Sequence, residues 1–198
     1  MLKSAINMYQ IVLASKSPRR IALLNEIGLK YTQFTSDFEE TDDKNLTAEK
    51  IALHNSLGKA LDAAKHFKNA LIIGVDTVVD SHGHVLGKPK NKEDAFRLLR
   101  LISGTTHRVI SAITIINTKS GKTISKAEET KVTLDKLDEK EIARYIESGE
   151  GDDKAGSYAI QGKGALFIKK IEGDYFNVVG LPLYLLRKLL KEFKVDLT

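Results

Sequence analysis

The segment Ile-Val-Leu-Ala-Ser-Lys-Ser-Pro-Arg-Arg, ending at Arg20, constrains the fold more than any other. Its apolar start has strand character and stops at Ser15. Ser17-Pro18 then has the chemistry of a helix start: serine caps free amides, and proline needs no N–H at the first helical position. Two arginines follow in the first turn, where the helix N-terminus is already partly positive. Free amides and two guanidinium forks make sense together when a phosphate sits among them.

The same alternation continues along the chain. The periodicity predicts a strand over 11–14 and a helix over 18–27, with Ile21, Leu24 and Ile27 on one face and Gly28 at its end. A strand over 31–38 runs into the acidic stretch 37–43. A long helix over 48–66 turns Ile51, Leu57, Ala60, Leu61 and Ala64 inward. A strand over 70–79 turns at 81–84 and returns briefly through Val85-Leu86. Asn91 caps a helix over 92–102, and Gly104 follows its end. Strands over 107–117 and 123–134 are joined by the turn Lys119-Ser-Gly-Lys122. Asp138 caps a helix reaching Ser148. A glycine-rich stretch over 149–164, a hairpin around Glu172-Gly-Asp174 and a last helix from Pro182 complete the reading. Strands alternating with helices first and paired strands later indicate a mixed α/β sheet.

At 198 residues, 42% of them hydrophobic, the chain suits one domain, or one domain with two lobes around a cleft. There is no cysteine, which excludes disulfides, thiolate metal sites and a cysteine nucleophile and fits the cytoplasm. No apolar run approaches the roughly 18 to 20 residues that span a bilayer. Residues 1–9 lack the apolar core of a secretory signal and read as a leader, with Met8 a second start. The net charge of +5 is scattered rather than blocked, so nucleic acid is not the expected ligand.

Chemistry concentrates in few places. Asp76 interrupts an apolar strand in Gly-Val-Asp-Thr-Val-Val79; it reads either as a carboxylate bonded to nearby amides or as a general base or magnesium ligand facing a cleft. Lys88 is framed by Gly87 and Pro89, although a lysine after a hairpin is ordinarily solvated. Lys59 stands beside the apolar face of its helix, where a snorkelling stem is the ordinary reading. Gln161, between Ile160 and Gly162, offers the donors and acceptor that read the edge of a base. The spacing matches neither the Walker nor the Rossmann loop. His82 and His84 flank a turn glycine without partners for a metal. Arginines at a helix start, carboxylates, lysines and one carboxamide together suit a magnesium-bound nucleoside triphosphate.

The blocks Leu-Ala-Ser-Lys-Ser-Pro-Arg-Arg20, Gly-Val-Asp-Thr-Val-Val79, Leu-Gly-Lys-Pro89, Leu-Ile-Ser-Gly-Thr-Thr-His107, Asp-Lys-Ala-Gly-Ser-Tyr-Ala-Ile-Gln-Gly162 and Ile-Glu-Gly-Asp-Tyr-Phe-Asn-Val-Val-Gly-Leu-Pro182 resemble the Maf family of nucleoside triphosphate pyrophosphatases. The resemblance implies a two-lobed mixed α/β fold with a central twisted sheet, similar to the inosine triphosphate pyrophosphatases. It implies hydrolysis to the monophosphate and pyrophosphate with a divalent cation, magnesium or manganese, and a homodimer. By motif, Asp76 is the proton acceptor. Arg19, Arg20, Lys59 and Lys88 form the triphosphate cradle, and Glu40, with Glu39 as the alternative, stands with Asp76 on the metal side. Arg19, Thr77 and Gln161 match the branch that acts on dTTP and UTP; a branch acting on 7-methyl-GTP has tryptophan in place of Arg19. Val75 and Ala159 depart from the commoner Ala and Gly. The alternatives are 7-methyl-GTP as substrate, or a nucleotide-binding regulator of cell division.

Overall fold

The computed structural model describes residues 9–43 and 45–197. All of the expected leader except Tyr9 therefore lies outside the described residues. The elements run β1 (Gln10–Ala14), α1 (Pro18–Glu26), β2 (Thr32–Phe34), α2 (Ala48–Ala64), β3 (Ala70–Ser81), β4 (His84–Leu86), α3 (Lys92–Ile102), β5 (Thr106–Asn117), β6 (Thr123–Leu134), α4 (Glu139–Glu147), β7 (Ile168–Glu172), α5 (Tyr175–Val179) and α6 (Leu183–Lys191). Among the described residues the strands make one seven-stranded sheet in the order β2-β1-β3-β5-β6-β7, with β4 on the free edge of β3. The β2-β1-β3 part is parallel and β3-β5-β6-β7 antiparallel, the mixed sheet expected from the sequence.

The long central strand β3 organises the interior. Side chains alternate across a strand, so Leu71, Ile73, Val75, Thr77 and Val79 share one face. The first three join a core with α1 and α6, and Val79 joins a second core with α3 and α4. Thr77 stands between them. Its partner on β5 is Ser111, flanked in the same way by Ile113 and Val109. On the opposite face, which α2 covers, Ile72 and Val78 lie in two smaller clusters with Asp76 between them. The polar pair Asp76-Thr77 thus marks the midpoint of an apolar strand on both faces.

Several local expectations change. Besides Ile51 and Ala60, α2 buries small residues, among them Ala52, Ser56 and Ala63; Leu57 and Ala64 are partly buried against the sheet, while Leu61 is half exposed. The helix comes very close to the sheet at Gly74, where a Cβ would stand 2.2 Å from the Ser56 carbonyl oxygen. Ile27 turns outward, and Arg20 takes an inward place on α1. Ser17 has the extended backbone of an N-cap, but its side chain makes no capping bond. Ser15 Oγ instead accepts from the Ser17 amide at 3.3 Å. Strand β2 is only three residues long, because the chain beyond Phe34 leaves the sheet to run beside α2. No hairpin forms around Gly173; Asp174 accepts from the Phe176 amide and caps α5.

Candidate active site

The edge of β3 carries the site. Strand β1 pairs with it up to Gly74 and β4 takes over at Val79, so 75–78 faces no strand on that side. Its orphan carbonyl at Val75 accepts from Arg20 Nη1 at 3.1 Å and from Lys59 Nζ at 3.4 Å. A cleft of about 850 Å³ opens here, lined by the β1–α1 loop, the 35–40 loop, Lys59, Asp76, Thr77, Lys88, the 150–162 loop and Gly180. Crevices beyond the C-terminal ends of parallel strands are the usual binding place in such sheets.

Lys59 is its electrostatic centre. The buried ammonium lies 2.7 Å from Asp76 Oδ1 and 2.6 Å from Glu40 Oε1. Two carboxylates therefore converge on one cation, and burial is tolerable because the charges are paired. Partial burial raises the Glu40 pKa, but Lys59 first, then Lys88 and Arg20, outweigh that and hold it below the usual carboxylate value. Glu40 reaches into the cleft, whereas Glu39 is not among its lining residues.

Arg20 is committed to the protein's own oxygens. Its Nε donates to Gly180 O at 2.8 Å, Nη1 to Ser15 Oγ at 3.0 Å as well as to Val75 O, and Nη2 to Thr77 Oγ1 at 3.0 Å. Desolvation lowers its pKa, and the field of Asp76 opposes that shift. The misplaced cation of the helix start is thus drawn inward to join β1, β3 and the turn before α6. Arg19 is half-buried and bridges the cleft mouth to Asp153 at 3.3 Å.

Lys88 stands exposed after β4, on a loop whose Gly87 carbonyl accepts from the Gly156 amide. Gln161 is exposed and lines the cleft from the 150–162 loop. Its loop is pinned by Glu150, which accepts from the Lys163 and Gly164 amides at 2.9 and 2.8 Å and from Tyr145 Oη at 3.0 Å. All the residues singled out from the sequence, Arg19, Arg20, Glu40, Lys59, Asp76, Thr77, Lys88 and Gln161, line this one cleft. Sequence reasoning missed Asn55, Glu150 and Asp153. Asn55 had a legible signal, a carboxamide on the stripe of α2 that also carries Ile51 and Ala52; the other two lie in a loop without periodicity.

The sequence profile of the Maf-like proteins matches residues 10–193. A dTTP/UTP pyrophosphatase of Methanosarcina barkeri is 46% identical over 191 residues, covering 96% of this chain and 97% of that protein. One from a Thermoanaerobacter species is 50% identical over 190 residues, covering 95% and 99%. One from Acetivibrio thermocellus is 44% identical over 196 residues, covering 96% and 98%. With five of the six matched blocks contributing to one cleft and similarity running nearly end to end, this chain belongs to the Maf family.

Proposed function

We propose that the protein hydrolyses dTTP and UTP to the monophosphate and pyrophosphate. The observation that carries the reading is the convergence of Asp76 and Glu40 on Lys59 at the open edge of β3, in a chain 42–50% identical to proteins named dTTP/UTP pyrophosphatase. Asp76 accepts the proton of a water that attacks the α-phosphorus in line. The new P–O bond forms as the α–β bridging bond breaks, and pyrophosphate leaves with the bond pair. Lys59, Lys88 and Arg19 meet the phosphate oxygens, where fixed cations act on the charge that develops. Arg20 contributes its field and its hold on the walls. Thr77 and Gln161, which both line the cleft, select the base together with Arg19.

Magnesium, with manganese as a substitute, belongs to this reading. Two carboxylates suit a hard cation that takes its other ligands from phosphate oxygens and water, and among the described residues no cluster of three His, Asp or Glu forms a fuller cage. Bound between Glu40, Asp76 and the triphosphate, the ion would neutralise phosphate charge and favour nucleophilic water. We extend the reading to a cytoplasmic homodimer on the family resemblance; no helix among the described residues is long and apolar enough to cross a membrane. Light scattering tests the dimer.

A panel of triphosphates with Mg²⁺ is the deciding experiment. dTTP and UTP should give monophosphate and pyrophosphate in equal amounts, and Asp76→Asn should lower kcat by about 10²–10⁴-fold while nucleotide still binds. Orthophosphate as the released product would reject the reaction. Preference for 7-methyl-GTP would move the substrate, and binding without turnover would favour the regulatory alternative.

A further inference from the structure

The 35–43 segment has no strand or helix of its own, yet it must deliver Glu40 to Lys59. It is held along one stripe of α2. Ser36 Oγ and the Asp37 amide donate to Asp62 Oδ2 at 2.9 and 3.0 Å. The Phe38 ring lies on Gly58, where a Cβ would meet it at 2.2 Å. The Thr41 amide and carbonyl both bond the Asn55 side chain, at 2.9 and 3.1 Å. Positions 55, 58 and 62 follow the helical repeat, so the segment runs antiparallel to α2 along a single ridge.

Asn55 differs from the other two anchors in facing both ways. It is 2% exposed, and its Nδ2 also donates to Asp76 Oδ2 at 3.2 Å. The network fixes the amide orientation: Oδ1 must receive the Thr41 N–H, so the group facing Asp76 can only donate. Lys59 holds the other oxygen of the same carboxylate. The Asp76 carboxylate is therefore locked in rotation, with the next residue along from Glu40 bonded to the same amide. We propose that Asn55 is a positioning residue that ties the acidic loop and the Asp76 carboxylate into one frame, so that the two carboxylates keep their relation when Lys59 turns to phosphate. The inference rests on the reading of the cleft as a triphosphate hydrolase site.

Two variants test it. Asn55→Ala removes both contacts. Asn55→Asp keeps the shape and an acceptor for the Thr41 amide but can donate neither to Asp76 nor to the Thr41 carbonyl. Each should lower kcat by about 10–100-fold, the usual effect of losing a group that orients a ligand, with KM nearly unchanged. Hydrogen exchange on the nucleotide-free protein should show the Thr41 amide losing protection in Asn55→Ala and retaining it in Asn55→Asp. Thermal melts identify any variant that has failed to fold. Wild-type kcat in folded Asn55→Asp overturns the contact with Asp76, and unchanged Thr41 protection in Asn55→Ala overturns the hold on the loop. If the wild-type protein itself releases no pyrophosphate, the hydrolase reading falls separately, and the exchange pattern still decides whether Asn55 anchors the loop.

Discussion

Arg19 and Arg20 are neighbours in sequence with opposite surroundings, and their variants should separate cleanly. Arg19 makes one partly exposed ion pair with Asp153. Such pairs contribute about 0–1 kcal/mol, so Arg19→Trp should leave the melting temperature nearly unchanged while altering which triphosphate is preferred. Arg20 ties together Ser15, Val75, Thr77 and Gly180. In Arg20→Lys a point charge replaces a planar fork, and several buried acceptors lose their donors. That variant should lose roughly 2–4 kcal/mol of stability in urea titration and weaken all substrates together. The sequence made both arginines conspicuous. It could not assign their directions, because that depends on the Gly180 turn, far away in the chain.

At the scale of elements, α2 shows what periodicity reveals and what it hides. Its position follows from pattern, yet its buried face is polar in the middle, with Asn55, Ser56 and Lys59. A rule that places leucines inward misreads Leu61, and it does not find the close approach at Gly74, which is a property of the packed pair. Likewise, β2 is shorter than its pattern predicts because the segment after it is held by side chains on α2 rather than by a strand partner. Gly58→Ala separates these effects. Alanine in the helix interior would by propensity add about 0.5–1 kcal/mol, but its Cβ displaces the Phe38 ring. The melting temperature should change little, whereas turnover should fall several-fold as Glu40 loses its place. A variant with unchanged kcat would show that the ring does not set the loop.

For the whole molecule, stability should depend on pH through His107. The ring is buried on β5, with Nε2 2.7 Å from Tyr158 Oη and no partner for Nδ1 among the described residues. Burial pushes its pKa down to about 4 from an ordinary 6.5. With the folded value depressed, the unfolded chain binds the proton first as pH falls. Stability is fully present above the unfolded value and is lost from about pH 6.5 down to about 4. Urea unfolding should show a contribution of about 2 kcal/mol between pH 7 and 5 that is missing in His107→Gln. An identical slope in that variant would move the effect elsewhere. The alternation of elements made the mixed sheet legible from sequence; the division of its interior into two cores did not follow from pattern alone, because Asp76 and Thr77 read only as breaks in an apolar run.

The strands β3, β5 and β6 each run twelve residues, and β3 and β5 contribute side chains to both of the larger cores. The two larger cores are therefore built on the same continuous beams. A jaw-like closing of such a frame would have to bend those strands. The short spans laid over it, at 15–20, 35–43 and 150–162, are fastened in part by polar side chains, although Tyr158 and Ile160 of the last also enter the two larger cores. Tuning this enzyme toward a new nucleotide is thus a matter of refastening loops, with the girders left as they are.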